Sequence, residues 1–355
     1  MAALTQTRRA VGRIGFEFDA NGLFCAQVRK HGTGWKLIHS RAAAAIQNAV
    51  PDTDHSRSAL FKANDLLQAA AGFRGSEVAS VLPMEACDLR VLELPAASQS
   101  ELRLMIANEF EASPTSDTVF DFWTLPVGMT PRKDLTGICS LSTDRRMISE
   151  TVRLIQAGGF TISGIDGLPT ACGRAVSMMD ASGAGIAVDG DESLRMAVHI
   201  GWKRCTIVLA RDGVPLLARV PQVQGLSSFL EATCTALGLS PQEMLRLMRG
   251  LRDDLLIQPS AAVMGRLHNA ARAWCLPLCE EVLRSVAFSG RPGLRMVPSA
   301  IILMGSGSII NGLAEIMTEE LNMAAQLWQI PAGECVSNGP EFAVAAALSA
   351  WEIDT

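Results

Sequence analysis

Long apolar runs are missing from this chain: no stretch of about eighteen apolar residues occurs in its 355 positions, so no segment reads as a membrane-spanning helix. The opening MAALTQTRRA lacks the apolar segment of a leader peptide. No CxxC pair occurs among the nine cysteines, and their number is odd. Cys25, Cys87, Cys139, Cys172, Cys205, Cys234, Cys275, Cys279 and Cys335 are scattered through apolar surroundings. They read as buried free thiols in a reducing compartment, not as a disulfide frame or a metal cluster. Cys275 and Cys279 are one helical turn apart, but His268 lies two turns further back. The five histidines (His31, His39, His55, His199, His268) show no HxxxH or HExxH spacing, which excludes a zinc hydrolase of that kind. A Walker A lysine motif is absent, and Gly305-Ser306-Gly307-Ser308-Ile309 is a shifted GxSxG that makes no nucleophile elbow. A basic surplus is also lacking: the net charge is -5 and the pI about 5.6, so nucleic acid is not an expected partner.

What is present is ample core material, 48% hydrophobic residues, enough for two domains or one domain of subdivided lobes. Arg13–Phe18, Leu23–Arg29 and Trp35–His39 read as a meander of three strands. A helix is expected over Ser56–Ala71, with Leu60, Ala63, Leu67 and Ala70 on one face, and a strand over Glu77–Leu82. A second α/β unit follows. It has strands at Leu89–Leu94, Val119–Leu125 and Thr136–Ser142, and helices at Ser98–Glu111 and Thr143–Gly158, with Phe160–Asp166 as its last strand. Ser98 with Glu101 makes a capping box, and Ser142 or Thr143 caps the second helix. Pro169–Met179 reads as a helix and Ser182–Glu192 as a linker. The meander then returns: Leu194–Ile200, Cys205–Arg211 and Pro215–Val220, with Asp212-Gly213 as a hairpin turn. Helices at Leu226–Leu237, Pro241–Arg249 and Ala261–Ser289 follow, then a strand at Ser299–Met304, a helix over Asn311–Leu321, a short strand at Gln326–Gln329 and a final Ala-rich helix at Gly339–Trp351. The halves duplicate a topology, not a sequence.

Three short turns carry the candidate chemistry: Glu17 to Gly22, His199 to Arg204, and Gly305 to Ser308 between a strand and a helix. Two hairpin turns facing each other can offer backbone N–H groups to phosphates, and a glycine-rich turn admits a purine or ribose. Each turn by itself is a common loop feature.

In their order, these residues resemble the PilM family of type IV pilus assembly proteins, actin-like relatives of the cell-division protein FtsA. The match runs through Val81-Leu82-Pro83 (family "ALP"), Arg90-Val91-Leu92-Glu93-Leu94-Pro95 ("RVIELP"), the Ser98–Glu111 helix, and Phe120-Asp121-Phe122 ("DY"). It continues through Ala157-Gly158-Gly159-Phe160 with Ile165-Asp166, Val208–Gly213 ("VVRDG"), Ala236–Ser240 and Ile302–Gly307 ("LTGGG"). The collinear match covers nearly all of residues 12–351. The resemblance implies an α/β, actin-like fold: RNase-H-like duplicated lobes around a central cleft, with an inserted small α/β subdomain. The implied division is 1–85 for the first part of the first lobe, 86–166 for the insert, 167–185 for the return to that lobe and the linker, and 186–351 for the second lobe, whose final helix packs back on the first.

The departures from the family pattern bear on chemistry. Where the family opens "GIDIGSSSVK", this chain has Glu17 for the metal-associated Asp and Asp19 for a phosphate-approaching Gly, followed by Asn21 and Gly22. Where the family has "DIGATST", it reads His199, Ile200, Gly201, Trp202, Lys203, Arg204, Cys205. Mg²⁺ needs well-placed oxygen ligands, so it is not expected here. ATP is the cofactor the cleft implies, its binding opposed by Asp19 and its hydrolysis by the missing Asp, and no catalytic residue is assigned. The resemblance puts nucleotide contacts at Glu17, Asp19, Asn21, Gly22, Gly201, Lys203, Arg204, Glu243, Arg246, Gly305, Ser306 and Gly307. Lys203 and Arg204 also read as solvated hairpin-tip charges, and Glu243 with Arg246 as an exposed ion pair one turn apart.

The implied role is a cytoplasmic scaffold, peripheral to the inner membrane, that grips the tail of a PilN-like bitopic membrane protein and communicates with the pilus assembly ATPase. The implied groove lies between the first lobe and the insert, with Leu92, Leu102, Met105, Ile106 and Phe110 as anchors; such a stripe also reads as core. Two alternatives are an active actin-like ATPase and a GspL-like secretion component. A sugar or acetate kinase of the superfamily needs a catalytic Asp and substrate inserts that this chain does not have.

Overall fold

The computed structural model describes residues 11–44, 62–110, 117–125, 134–185, 194–252, 259–289, 297–333 and 336–351. The chain begins with β1 (Ile14–Asp19), β2 (Gly22–His31), β3 (Gly34–Ala44), α1 (Ala63–Ala69) and β4 (Glu77–Leu82). The insert follows with β5 (Cys87–Pro95), α2 (Gln99–Glu109), β6 (Thr118–Thr124) and β7 (Leu135–Asp144). Next come α3 (Arg145–Ala157), β8 (Thr161–Gly167) and α4 (Leu168–Ala181). The second half has β9 (Leu194–Ile200), β10 (Cys205–Arg211), β11 (Val214–Arg219), α5 (Leu226–Leu237), α6 (Pro241–Arg252) and α7 (Ala261–Ser289). It closes with β12 (Ala300–Met304), α8 (Leu313–Leu321), β13 (Ala325–Leu327) and α9 (Ala343–Ala350).

Two five-stranded sheets share one order, β3-β2-β1-β4-β8 and β11-β10-β9-β12-β13. In each, a three-strand antiparallel meander is extended by two parallel strands. The hairpin turn of the second meander has positive φ at both Asp212 (52°) and Gly213 (81°), the backbone that matches strand twist. The duplication expected from strand and turn pattern is thus realised bond by bond. The insert has its own antiparallel sheet, β5-β7-β6.

The strand expected at Phe160–Asp166 does not join that sheet. As β8 it pairs in parallel with β4, from Glu77↔Thr161 to Leu82↔Gly167. Strand pattern does not encode which sheet a strand enters, and here Phe160 and Ile162 pack into the first lobe's outer core. The cap of α3 is Asp144, whose side chain accepts from Arg146 N, because Ser142 and Thr143 are still held in the β7 ladder. On α1 the buried face is Leu66, Ala69 and Ala70, while Leu67 is 53% exposed. Residues 56–61 of the expected helix, and 186–192 of the expected linker, lie outside the described residues. The Ser98 capping box forms as read, with Glu101 accepting from Ser98 N at 2.8 Å.

The layers are interlocked. Helix α4 comes from the first half but packs on β9, β10 and β11 of the second sheet; α9 comes from the second half but packs on β1, β2 and β4 of the first. Together they form the central apolar layer between the sheets, shared with Phe24, Val28, Ala197, Ile302 and Met304. Outer layers close the far faces, α1 and α3 over the first sheet and α5, α7 and α8 over the second. Small residues set the seam. A Cβ at Gly15 would lie 1.8 Å from the Ala345 carbonyl oxygen, and one at Gly173 would lie 2.4 Å from that of Gly213. Ser349 fastens α9 by accepting from Val28 N at 3.0 Å and donating to the Arg13 carbonyl. No helix among the described residues is long and apolar enough to cross a membrane.

This seam gives a stability test. Gly15→Ala forces a backbone, not a flexible side chain, to move, so we expect a loss of about 2–3 kcal/mol in urea unfolding. An unchanged midpoint would show that α9 does not seat on β1.

Candidate functional site in the interlobe cleft

The cleft lies where the central strands of the two sheets, β1 and β9, end side by side. Alternation along β1 sends Phe16 and Phe18 into the outer core and leaves Glu17 facing the second lobe. Alternation along β9 does the reverse for Val198 and Ile200 and turns His199 inward. Glu17 Oε1 and His199 Nε2 meet at 2.7 Å, with residue exposures of 4% and 6%. One buried contact therefore joins residues 182 positions apart and ties one lobe to the other.

Asp19 completes the junction. Its carboxylate accepts from Ala20 N (2.7 Å), from Trp202 N (3.0 Å to Oδ2) and from Ser306 Oγ (2.7 Å). The three turns singled out in the sequence do converge, and a side chain of this chain already occupies their meeting point. Two buried oxygens there have no hydrogen-bond partner: Glu17 Oε2 and Asn21 Oδ1. Gly22 pairs with Asp19 across the turn.

Other donors of the cleft are also spoken for. The first amides of α5 would suit an anion, but Leu226 N and Ser227 N donate to the carbonyls of Gly201 and Trp202 (3.0 and 2.9 Å). Lys203 and Arg204 stand exposed at the hairpin tip. The glycines of the third turn serve packing. A Cβ at Gly305 (φ +88°) would lie 2.8 Å from His199 Nε2, and one at Gly307 would lie 2.1 Å from Ile200 Cγ2. Helix α6 reaches this turn through Met244 and Met248, which share a core with Ile309. The Glu243–Arg246 ion pair is not what forms: Glu243 caps its own helix, accepting from Ser240 N (2.8 Å) and Ser240 Oγ (2.6 Å). That bond holds the exposed Glu243 carboxyl below its ordinary value, and Arg246 adds to it.

Burial by itself would lower the His199 pKa. The Glu17 charge and hydrogen bond outweigh it, with Asp19 and Glu85 adding, and the imidazole is raised. Burial raises the Asp19 carboxyl, and Glu17 adds to it, against the Ser306 and Ala20 bonds and the His199 charge. The cleft thus gathers two carboxyl groups beside one imidazole.

These residues do not fit a magnesium nucleotide. The donors that would meet phosphate oxygens face the Asp19 carboxyl group, and a phosphate there would stand against two carboxyl groups that share one imidazole. Among the described residues no group of three or more His, Cys, Asp or Glu could hold a metal ion. Burial pushes the Cys139 and Cys205 thiols up to about 12. Eight described cysteines are free, and Cys335 lies outside the described residues.

In the insert, two expected groove anchors are placed otherwise. Leu102 and Ile106 are buried with Ile138 in a small core of their own, because α2 lays its apolar stripe on the sheet. Leu92 and Phe110 lean on that core, and Met105 is half-buried. Two large apolar residues among those described in the insert are exposed, Leu104 (67%) on α2 and Val91 (45%) on the face of β5 that carries Leu89 against the main cores. Periodicity does not reveal the exposure of Val91, since a strand at a sheet edge looks like any other.

No family model matches the sequence, and no curated protein matches it. Solved structures do. The chain is similar to a structure described as the PilM-PilN type IV pilus biogenesis complex, with TM-score 0.73 and 21% identity, over 96% of this chain and 98% of that one. It is similar to ethanolamine utilization protein EutJ from Carboxydothermus hydrogenoformans, with TM-score 0.51 and 11% identity, over 95% and 89%. The fold is therefore actin-like, as expected from the turns and motifs.

The cleft gives a pH test with a definite sign. A raised His199 pKa means stability that is complete below the ordinary value of 6.5 and lost as pH rises through the folded value. The raised Asp19 carboxyl acts in the same direction, since its ionisation in the folded state is the costly one. Urea midpoints should fall from about pH 6 to 9 in the wild type, and His199→Gln should flatten that slope. Glu17→Gln removes the charge that raises the imidazole and should shift the fall in midpoint to lower pH. An identical slope in His199→Gln would show that the imidazole is not the titrating group.

Proposed function

We propose that the protein is a non-catalytic assembly component of a type IV pilus, or of a related secretion or competence machine. In this reading it holds the cytoplasmic tail of a PilN-like membrane protein and is peripheral to the inner membrane through that partner. The observation that carries the non-catalytic half is the Asp19 carboxylate seated on Trp202 N and Ser306 Oγ. What supports the assembly half is the fold likeness to the PilM-PilN complex along nearly the whole of both chains.

The tail would lie along β5. That strand ends the insert's sheet, and among the described residues no strand pairs with its outer edge, so its backbone groups can take an extended peptide. Val91 faces the peptide, with Leu92, Met105 and Phe110 flanking. Arg90 over the Phe110 ring (4.4 Å) and Arg103 near Phe120 and Phe122 (5.5 Å) keep cationic groups beside the strip.

Two measurements test this. In fluorescence anisotropy with the cytoplasmic-tail peptide of the PilN-like protein, Val91→Glu should weaken binding at least about tenfold while the fold stays intact. Ile106→Asp, by contrast, should unfold the insert. Undiminished binding by folded Val91→Glu would remove the β5 site. In calorimetry, the wild type should take up no ATP up to about 1 mM, and Asp19→Gly should gain affinity, because the freed donors face the cleft. Micromolar ATP binding by the wild type would overturn the non-catalytic half.

A further inference from the structure

A second polar site lies at the other end of β2. Gly22 is at the cleft, and Arg29 is seven residues on, roughly 23 Å along the strand. Here Arg29, Lys36, His39 and Arg74 surround a cavity of about 240 Å³ closed by Ile38, Gly333 and Val336. Among the described residues no carboxylate lines it. Among the described residues no acidic side chain pairs with Arg29, Lys36 or Arg74.

Two features show that the cations are gathered by the fold. Arg29 and Lys36 are direct cross-strand partners, a placement in which like charges repel. The β2–β3 register shifts between Gln27 and Val28, so Gln27 opposes His39, Val28 opposes Leu37, and Ile38 is the extra residue. Without that bulge His39 would point to the opposite face from Lys36; with it both line the cavity. Arg74 is fixed by a buried amide. Gln27 Oε1 accepts from Arg74 N (3.0 Å), and Gln27 Nε2 donates to Arg74 O (2.8 Å) and to Gly12 O (2.9 Å). The fourth wall is held by Gly333 N donating to Leu37 O at 2.8 Å.

A pocket whose described side chains offer cationic donors and no acidic member suits an anion. Two guanidinium forks and an ammonium match a tetrahedral anion with oxygens turned to several sides, which a phosphate supplies and a planar carboxylate does not. The volume is below the range of about 300–1,000 Å³ usual for small-molecule sites, so it holds a phosphate head and not a nucleotide. We infer that this cavity binds a phosphate group, either free in solution or as the headgroup of an anionic phospholipid. This inference does not depend on the reading of the cleft or of β5.

The test uses the whole chain. Inorganic phosphate is titrated by calorimetry, and flotation compares vesicles of phosphatidylglycerol with vesicles of phosphatidylcholine. Arg29→Ala/Arg74→Ala removes two exposed charges from the site. Arg153→Ala/Arg266→Ala removes two exposed charges elsewhere. Loss of phosphate affinity by at least about tenfold in the first variant and not in the second supports a site for soluble phosphate. The same contrast in phosphatidylglycerol flotation alone supports a lipid headgroup. Equal loss in both variants means diffuse charge attraction and overturns the site. So does binding that Arg29→Ala/Arg74→Ala leaves unchanged, or no binding of either probe.

Discussion

The contact on which the rest turns is the buried junction of Glu17 with His199. Taking either charge out of water costs several kcal/mol, and each is tolerable because the other is there. Since Glu17 sits on β1 and His199 on β9, the junction fixes the separation of the two central strands. Everything layered between the sheets then has a set thickness. The small residues along the seam, Gly15, Gly173 and the alanines of α9, meet that thickness, and larger ones would not. Asp19 extends the same logic outward, joining the first hairpin to the second through Trp202 and to the third turn through Ser306.

In a cleft that admits nucleotide, the ligand's phosphates bring the hairpins together, and closure depends on what is bound. Here the residues themselves supply the anion and the cation. The lobes are bridged by the chain's own side chains. The exchange of α4 and α9 between the two sheets adds to this, because opening the cleft widely would also have to part an apolar layer. In this chain the two lobes are joined by its own side chains, Glu17 to His199 and Asp19 to Trp202 and Ser306.

Much of the fold was legible in the sequence. Glu77–Leu82, Leu194–Ile200, Cys205–Arg211, Leu226–Leu237 and Ala261–Ser289 have the bounds read from pattern and turn residues. Local rules govern such segments: period, cap and turn. What was not legible was partnership across distance. The entry of β8 into the first sheet, the aim of the α2 stripe at its own sheet, and the Glu17–His199 contact are each set by tertiary packing. Glu17 and His199 read singly as two losses, an acid too long and a base in place of an acid. Their meaning is in the pair, a carboxylate and an imidazole at facing strand ends, which no local rule joins. The glycines of the third turn show the same ambiguity. They read as room for a purine, and they are room for Ile200 and His199.

The position of α9 also bears on how the molecule comes into being. The helix that completes the inner face of β1 and β2 is encoded more than three hundred residues after them: Ser349 grips Val28 across 321 positions and Arg13 across 336. Ribosomes add about 5–20 residues each second, so the first sheet emerges early and waits tens of seconds for its last wall. Over that interval the side chains of Phe24, Ala26 and Val28 have no α9 to cover them. The second lobe's outer core, drawn largely from residues 194–321, needs no such delay. The nascent protein is thus assembled back to front, with the half made first being the half finished last.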